Sequence, residues 1–253
     1  MPRRHPTSPS NALRLLTALT LAFAGVVTAG EEAAEPLRVW DITFNDQAVG
    51  GIPKPRTKAV LEREQADPMA ALPMRTYSSL EFITASRRAV VTKEAAGLTD
   101  QPLLFTYTEN SQPHYGPRMW LSVPAGLAES GKHWHLSFDV AKGNVAISGG
   151  VLLRDVAGIV FHEDGTVRAG KAGTEIARYR PGKPLHIECT IDVPSKEVSI
   201  TVDGRSERAV TMPWDTPRAA HFRYVTLDGL LPGGHAESPG SIAFDNIRLV
   251  MKR

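Results

Sequence analysis

The sequence predicts an antiparallel β-sandwich, because it contains many short runs in which apolar and polar residues alternate. The clearest runs lie at 133–140, 186–193 and 197–202. Successive side chains of a strand point to opposite faces, so each run has one apolar face and one polar face. Such strands need a second apolar layer to cover them, and two packed sheets supply it. No segment shows a long 3.6-residue repeat of apolar residues, so a mainly helical fold is not expected.

Turn residues divide the chain into a series of predicted strands. The first strand is predicted at 37–44, and Asn45-Asp46 with the glycines and prolines of 50–55 end it. A short helix is predicted at 58–66. Tight turns are predicted at the two Asp-Gly pairs, Asp164-Gly165 and Asp203-Gly204. The further strands are predicted, in chain order, at 79–85, 89–93, 103–108, 118–123, 133–140, 145–154, 157–162, 165–169, 174–179, 185–193, 197–203, 220–227 and 241–250.

The last predicted strand contains an irregularity. Its apolar phase shifts by one residue between Phe244 and Ile247. A shift of this kind predicts a β-bulge, which re-aims the residues at the extra position. Asp245 would then turn inward or toward a sheet end, where its carboxylate needs a partner.

Residues 1–29 are predicted to be an export signal and not part of the fold. Three arginines accompany the apolar stretch 15–27, and small residues follow it at 28–30. The stretch of 13 residues is shorter than a bilayer span, which needs roughly 20, and no later segment reaches that length. We therefore expect a secreted or periplasmic protein with no membrane span after signal removal. The alternative is an N-terminal segment that is not cleaved.

The remaining chain is predicted to contain a flexible lead-in, 30–36, and a single β-sandwich domain, 37–253. The whole chain has 29 basic and 27 acidic residues, and the leader holds three arginines and no acidic residue. Without the leader there are 26 basic and 27 acidic residues, so the net charge is about −1. A near-neutral domain has no electrostatic footprint for nucleic acid. Cys189, the one cysteine, lies on the apolar face of its run and is expected to be a buried thiol.

Five segments carry a family likeness: 41–46, 50–53, 182–187, 196–204 and 244–249. Together they resemble the concanavalin A-like lectin/glucanase superfamily, and most of all the laminin-G-like or carbohydrate-binding domains of exported bacterial proteins. The likeness covers most of the mature chain through short motifs. It implies a jelly roll of two curved antiparallel sheets in which the first and last strands come together.

The resemblance also implies a structural calcium ion where the two ends of the chain meet. Calcium takes six to eight oxygen ligands from carboxylates, amides and carbonyls. By position, the implied ligands are Asn45, Asp46, Asp245 and Asn246. The family pattern usually has an acidic residue directly after the phenylalanine, where this chain has Asn45. The alternative is that Asn45-Asp46 only shapes a turn while Asp245 pairs with a nearby backbone group or arginine.

Two groups of residues are candidates for binding a sugar. Sugars pack their C–H faces on aromatic rings while neighbouring polar groups bind the hydroxyls. Trp40 and Trp134 lie in apolar phase and are expected in the core. The alternative for the candidate rings is a position folded over the edge of the sandwich. The candidate ligand-binding residues are His114, Tyr115, Arg118 and Trp120 in one group and Trp214 and Asp215 in the other.

Enzymatic motifs are absent from the sequence. The retaining glucanases of the superfamily carry Glu-x-Asp-x-x-Glu on one strand, and no such string occurs here. His133 and His135 share the polar face of one run, but no third metal ligand is identifiable. Glu188 and Asp192 are expected on an outward face.

The leading hypothesis is therefore an exported, non-catalytic domain that binds a polysaccharide or other glycan, or serves in adhesion. Two alternatives stay open. One is a carbohydrate-active enzyme, a glycoside hydrolase or polysaccharide lyase, with a divergent site on the concave sheet. The other is a structural envelope protein without a small ligand.

Overall fold

The computed structural model describes part of the chain. The predicted signal 1–29, helix 58–66 and strand 79–85 lie outside the described residues, as do His114 and Tyr115. The described ranges are 35–51, 74–75, 87–107, 118–145, 148–229 and 240–252.

Two antiparallel sheets form the domain, as the sequence predicts. In spatial order, sheet I contains β13 (Val210–Pro213), β12 (Glu197–Val202), β11 (Leu185–Asp192), β6 (His133–Lys142), β15 (Gly240–Lys252), β4 (Leu103–Tyr107) and β3 (Arg87–Val91), and β1 (Leu37–Ile42) also pairs with β15. Sheet II contains β10 (Thr174–Arg178), β9 (Thr166–Ala169), β8 (Ala157–Phe161), β7 (Gly149–Leu153), β14 (Tyr224–Asp228), β5 (Arg118–Ser122) and β2 (Met74–Arg75). The architecture is a jelly-roll β-sandwich.

The last strand, β15, lies inside sheet I and joins its two halves. One edge of β15 pairs with β6 along Ile242–Lys252. The other edge pairs first with β4, through Gly240–Phe244, and then with β1, through Ile247–Met251. The first and last strands of the described chain are therefore neighbours, as the family resemblance implies.

The core lies between the inward faces of the two sheets. The alternating runs bury the predicted apolar residues, including Trp134 at 0% exposure and Trp40 at 4%. Cys189 is also fully buried, and burial raises the pKa of its thiol well above the usual value. Each large apolar side chain removed from water contributes about 1.5–3 kcal/mol, so this shared core is the main source of stability.

The bulge predicted in the last strand is confirmed. The register of β15 against β6 shifts between Asp245 and Arg248, and Asn246 has a φ of 50°. That left-handed backbone position is one that asparagine tolerates better than most residues. The extra residue lets Phe244 and Ile247 both reach the core, where each is 0% exposed.

Some elements were not predicted from the sequence. They are the two-residue strand β2, the short helix α1 (Ala125–Ser130), the 3-10 helix η1 (Ser206–Arg208) and the four-residue strand β13. Helix α1 has no side-chain cap at Pro124, so the usual start signal is missing. Within the described part of the chain, no helix is long and apolar enough to cross a membrane.

Candidate functional site

Two of the predicted ligand-binding residues lie together on the outer face of sheet II. Met119 and Leu121 of β5 are buried in the core, so Arg118 and Trp120 point the opposite way. The neighbouring strand β14 adds two further side chains to this face. Asp228 is the register partner of Arg118, and Tyr224 lies diagonally across from Trp120. We call Arg118, Trp120, Tyr224 and Asp228 the ring–carboxylate cluster.

The carboxylate of this cluster is buried and only half paired. Arg118 Nε donates a hydrogen bond to Asp228 Oδ1. Asp228 is 1% exposed, and its Oδ2 atom has no hydrogen-bond partner among the described residues. Burial raises the pKa of Asp228 to about 6, although the neighbouring Arg118 lowers it. A buried carboxylate oxygen without a donor is costly in a protein, and a carboxylate with a shifted pKa marks a candidate functional site.

The rings of the cluster form a stacked pair. The ring centroids of Trp120 and Tyr224 are 5.2 Å apart, and the ring planes differ by 8°. The Arg154 guanidinium carbon lies 5.9 Å from the Tyr224 centroid. Trp120 and Tyr224 are both half-buried. Stacked rings of this kind hold each other in a fixed orientation on the sheet surface.

The second group of predicted sugar-binding residues has a structural role. Trp214 is 2% exposed, which fits the alternative of a ring folded over the edge of the sandwich and leaves no exposed platform for a sugar. Its Nε1–H donates to the Glu197 carbonyl at 3.2 Å, and Lys196 Nζ lies 4.4 Å from the ring centroid. Asp215 Oδ1 accepts a hydrogen bond from the Lys171 backbone N–H at 2.6 Å and so stabilises the turn at Lys171. The apolar ring is used to close the sandwich edge instead of meeting solvent.

The implied calcium ligands Asn45 and Asp46 lie in the exposed turn after β1. The Asn45 carbonyl accepts a hydrogen bond from Gln101 Nε2 at 3.1 Å. Asp46 Oδ1 accepts one from Gln47 Nε2 at 3.2 Å. These bonds fit the alternative in which the pair shapes a turn.

The other two implied ligands form the bulge of β15. Asp245 is 1% exposed, and its Oδ1 accepts the Asn246 backbone N–H at 2.8 Å. Burial raises the pKa of Asp245 to about 6; the charges of Asp139 and Asp100 add to this, and the Asn246 N–H opposes it. Within the described ranges, no group of three or more His, Cys, Asp and Glu side chains has a geometry that could hold a metal ion. The calcium site stays a prediction.

A larger polar arrangement lies on the outer face of sheet I. Strands β6 and β11 pair so that Asp192 faces His133 and His186 faces Asp139. The same register places Glu188 beside His135 and His186. We call these six side chains the histidine–carboxylate row: His133, His135, Asp139, His186, Glu188 and Asp192.

Short contacts connect the members of this row. The shortest joins His186 Nδ1 and Asp139 Oδ1 at 2.6 Å. Glu188 Oε1 lies 3.6 Å from His135 Nε2 and 3.9 Å from His186 Nε2. His133 Nδ1 lies 3.4 Å from Asp192 Oδ2. The pKa of His135 is lowered chiefly by burial, against the raising effect of Glu188.

The outward position of Glu188 and Asp192 is confirmed, but the sequence did not identify the row. Alternation alone places His133 and His135 on one face, as it does His186 and Glu188. The two sets meet only through the register of β11 against β6. The hairpin that joins β11 to β12 can be predicted from sequence, whereas the β6–β11 pairing is non-local.

Comparisons with known proteins place the chain by its fold. No protein-family model matches the sequence. No curated protein matches it either. Among solved structures it is similar to a sialidase, with a TM-score of 0.53 and 14% identity over 86% of this chain and 18% of the sialidase. The chain thus spans less than a fifth of that protein.

Two alginate lyases match less well. One is alginate lyase AlyC3 in complex with dimannuronate, at a TM-score of 0.46 and 13% identity over 68% of this chain and 80% of the lyase. The other is alginate lyase A1-II', a member of polysaccharide lyase family 7. Its TM-score is 0.44, and the identity is 10% over 69% of this chain and 86% of the lyase. The likeness to the sialidase, at 14% identity, concerns the fold alone.

Proposed function

We propose that the protein is an exported, non-catalytic glycan-binding domain of concanavalin A-like type whose ligand surface is the ring–carboxylate cluster. The observation that carries the proposal is the juxtaposition of the Trp120–Tyr224 stack with the half-paired carboxylate of Asp228 on one face of sheet II.

The chemistry of the cluster suits a sugar. An indole ring offers an apolar face to the C–H groups of a pyranose, and the contact is stronger when the ring is already held in place. Arg118, whose side chain is 19% exposed, contributes guanidinium donors, and the buried Asp228 carboxylate holds it in place. Such sites combine an apolar surface with a few fixed polar groups. The ligand is inferred from this chemistry and not from the sialidase, whose likeness concerns the fold.

A binding screen of the purified protein against immobilised polysaccharides tests the proposal. For a glycan that binds, Trp120→Ala should weaken the affinity about tenfold, equivalent to about 1.4 kcal/mol. Trp120→Phe keeps a ring and should retain most of the affinity. An equal loss in both variants, or no loss in either, would contradict a ring platform at Trp120. Absence of binding to any polysaccharide would favour a structural envelope protein.

A second candidate function is a carbohydrate-active enzyme, and one contact favours it. His186 is held by Asp139 at 2.6 Å, and its other ring nitrogen faces Glu188 at 3.9 Å. An imidazole oriented by a carboxylate is the arrangement used for general acid–base catalysis. An enzyme of this kind would release reducing ends or unsaturated products from a bound polysaccharide, and His186→Ala would abolish that release while His133→Ala would not. An unchanged polysaccharide after prolonged incubation rules out this candidate.

A further inference from the structure

A cavity of about 430 Å³ opens between the edges of the two sheets, where β10 of sheet II meets the β11–β12 end of sheet I. Four strands of sheet II separate β10 from β5, so the cavity is distinct from the ring–carboxylate cluster. Its volume lies in the range of about 300–1,000 Å³ that is usual for small-molecule sites.

The inner side of the cavity is apolar. Ile176 of β10, Leu185 of β11 and Val202 of β12 line it. Each is partly buried and packs against the main core. They therefore form a firm floor on which the C–H face of a compact ring can rest.

The rim of the cavity is charged, and its two carboxylates are already engaged. Glu175 Oε1 lies 3.1 Å from Arg178 Nε. Asp203 Oδ1 accepts the His186 backbone N–H at 3.0 Å. These contacts tie the acidic groups to the edge of the sandwich.

Two further arginines of the rim are not engaged. Arg205 and Arg208 line the cavity, and neither side chain has a hydrogen-bond or ion-pair partner among the described residues. Both are exposed. The Arg208 backbone N–H donates to the Arg205 carbonyl at 2.9 Å across η1. Arg205 is the N-cap residue of η1 and Arg208 is its last residue, so the two side chains leave the backbone within one turn of each other.

We propose that this cavity binds an acidic monosaccharide unit, with its carboxylate held by Arg205 and Arg208 and its ring against Ile176, Leu185 and Val202. Guanidinium groups bind carboxylates through paired, charge-assisted hydrogen bonds, and a neighbouring apolar floor strengthens the attraction by excluding water. The site goes beyond the proposed function, because the ring–carboxylate cluster requires no charge on its sugar. Either site can exist without the other.

Calorimetric titration with glucuronate, glucose and sodium sulfate tests the proposal. Glucuronate should bind the unmodified protein, and glucose should not bind this cavity. In Arg205→Ala/Arg208→Ala, the affinity for glucuronate should fall at least tenfold. Arg218→Ala removes an exposed arginine outside the cavity and should leave the affinity unchanged. A loss of binding in Trp120→Ala alone would place glucuronate at the ring–carboxylate cluster and overturn the assignment.

Three other results would overturn it. They are no binding of glucuronate, equal binding in the double alanine variant, and sulfate binding as tight as glucuronate, which would mean a bare oxyanion site. Should the double alanine variant fail to fold, Arg205→Lys/Arg208→Lys keeps both charges but loses the paired hydrogen bonds. Its affinity for glucuronate should fall several-fold, and an unchanged affinity would contradict the proposed contact.

Discussion

The carboxylate of Asp139 holds His186 from one neighbouring strand and Asn246 from the other. His186 Nδ1 lies 2.6 Å from Oδ1, and Asn246 Nδ2 donates to Oδ2 at 2.6 Å. Asp139 belongs to β6, His186 to β11, and Asn246 to the bulge of β15. One side chain thus connects the three central strands of sheet I on their outer face.

This connection predicts that Asp139→Ala lowers the free energy of unfolding by about 1 kcal/mol. The substitution removes two hydrogen bonds, but the groups released are partly exposed and water replaces part of the loss. Urea unfolding measures the change. Thr190→Ala, an exposed position on the same face of β11, is the control and should cost less. Equal losses in the two variants would mean that the Asp139 bonds add nothing to stability.

The buried Lys142 predicts a rise in stability at alkaline pH. Its side chain is 1% exposed, and burial lowers its pKa to about 8 against the raising effect of Glu163. Between pH 8 and the ordinary lysine pKa of 10.5, the unfolded chain binds more protons at this lysine than the folded chain does. The contribution of Lys142 to stability therefore increases across that window, by at most about 3 kcal/mol.

Urea unfolding of the unmodified protein and of Lys142→Met, from pH 7.5 to 10.5, tests this prediction. The difference between their free energies of unfolding gives the contribution of Lys142 at each pH. The raised pKa values of Tyr179 and Cys189 lower stability at high pH in both proteins and cancel. The free energy of unfolding of the unmodified protein should rise relative to that of the variant as the pH increases. Parallel curves would show that Lys142 titrates at the same pH in both states.

Asp245 predicts a pH dependence of the opposite sign. Its pKa is raised from the ordinary value of 3.8 to about 6, so the folded state keeps a proton that the unfolded state has lost. Stability is lost as the pH rises through this window. With chelator present, the free energy of unfolding of Asp245→Asn should therefore rise by about 1–3 kcal/mol relative to that of the unmodified protein between pH 4 and pH 7. The asparagine Oδ1 can still accept the Asn246 N–H. A constant difference between the two curves would contradict the raised pKa.

The proposed calcium site predicts that added chelator lowers the melting temperature at neutral pH. Bound calcium stabilises the folded state by mass action and neutralises Asp245. The shift should be several degrees in the unmodified protein and absent in Asp245→Asn. Differential scanning fluorimetry with and without chelator measures it. An unchanged melt of the unmodified protein would remove calcium from this site.

Two glycines at helix α1 predict opposite effects of the same substitution. A Cβ on Gly126 has no atom within 4 Å, so Gly126→Ala should stabilise the protein by about 0.5–1 kcal/mol through helix propensity. A Cβ on Gly131 would lie 2.1 Å from Trp134 Cζ2, and Trp134 is fully buried. Gly131→Ala should cost about 1–3 kcal/mol through overpacking. Equal melting temperatures of the two variants would show that Trp134 moves aside without cost.

The sequence predicted the sheets well because each strand carries its own signal. Period-two alternation at 133–140 and 186–193 follows from a face that must pack on the core, and a phase shift beside Asp245 indicates the bulge directly. Helix α1 and strand β13 carry weaker signals, because a six-residue helix without a cap and a four-residue strand depend on the surrounding fold.

The candidate sites were less predictable. Arg118 and Trp120 could be placed on one face because they lie two residues apart on one strand. Their partners Asp228 and Tyr224 are more than one hundred residues away and meet them only through strand pairing. The position of Trp214 could not be decided from sequence for a related reason: a tryptophan beside a proline and an aspartate has the composition of a surface loop. Its burial depends on Lys196 and Glu197, which no local pattern connects to it.

The interior position of β15 has a consequence for biogenesis. Strand β15, which pairs with β6 on one edge and with β4 and β1 on the other, is synthesised after all the other strands of sheet I. The two halves of the sheet therefore stay unconnected until β15 has been made. Closure then requires residues near 37 and 251 to find each other, a search that is slow for such distant partners.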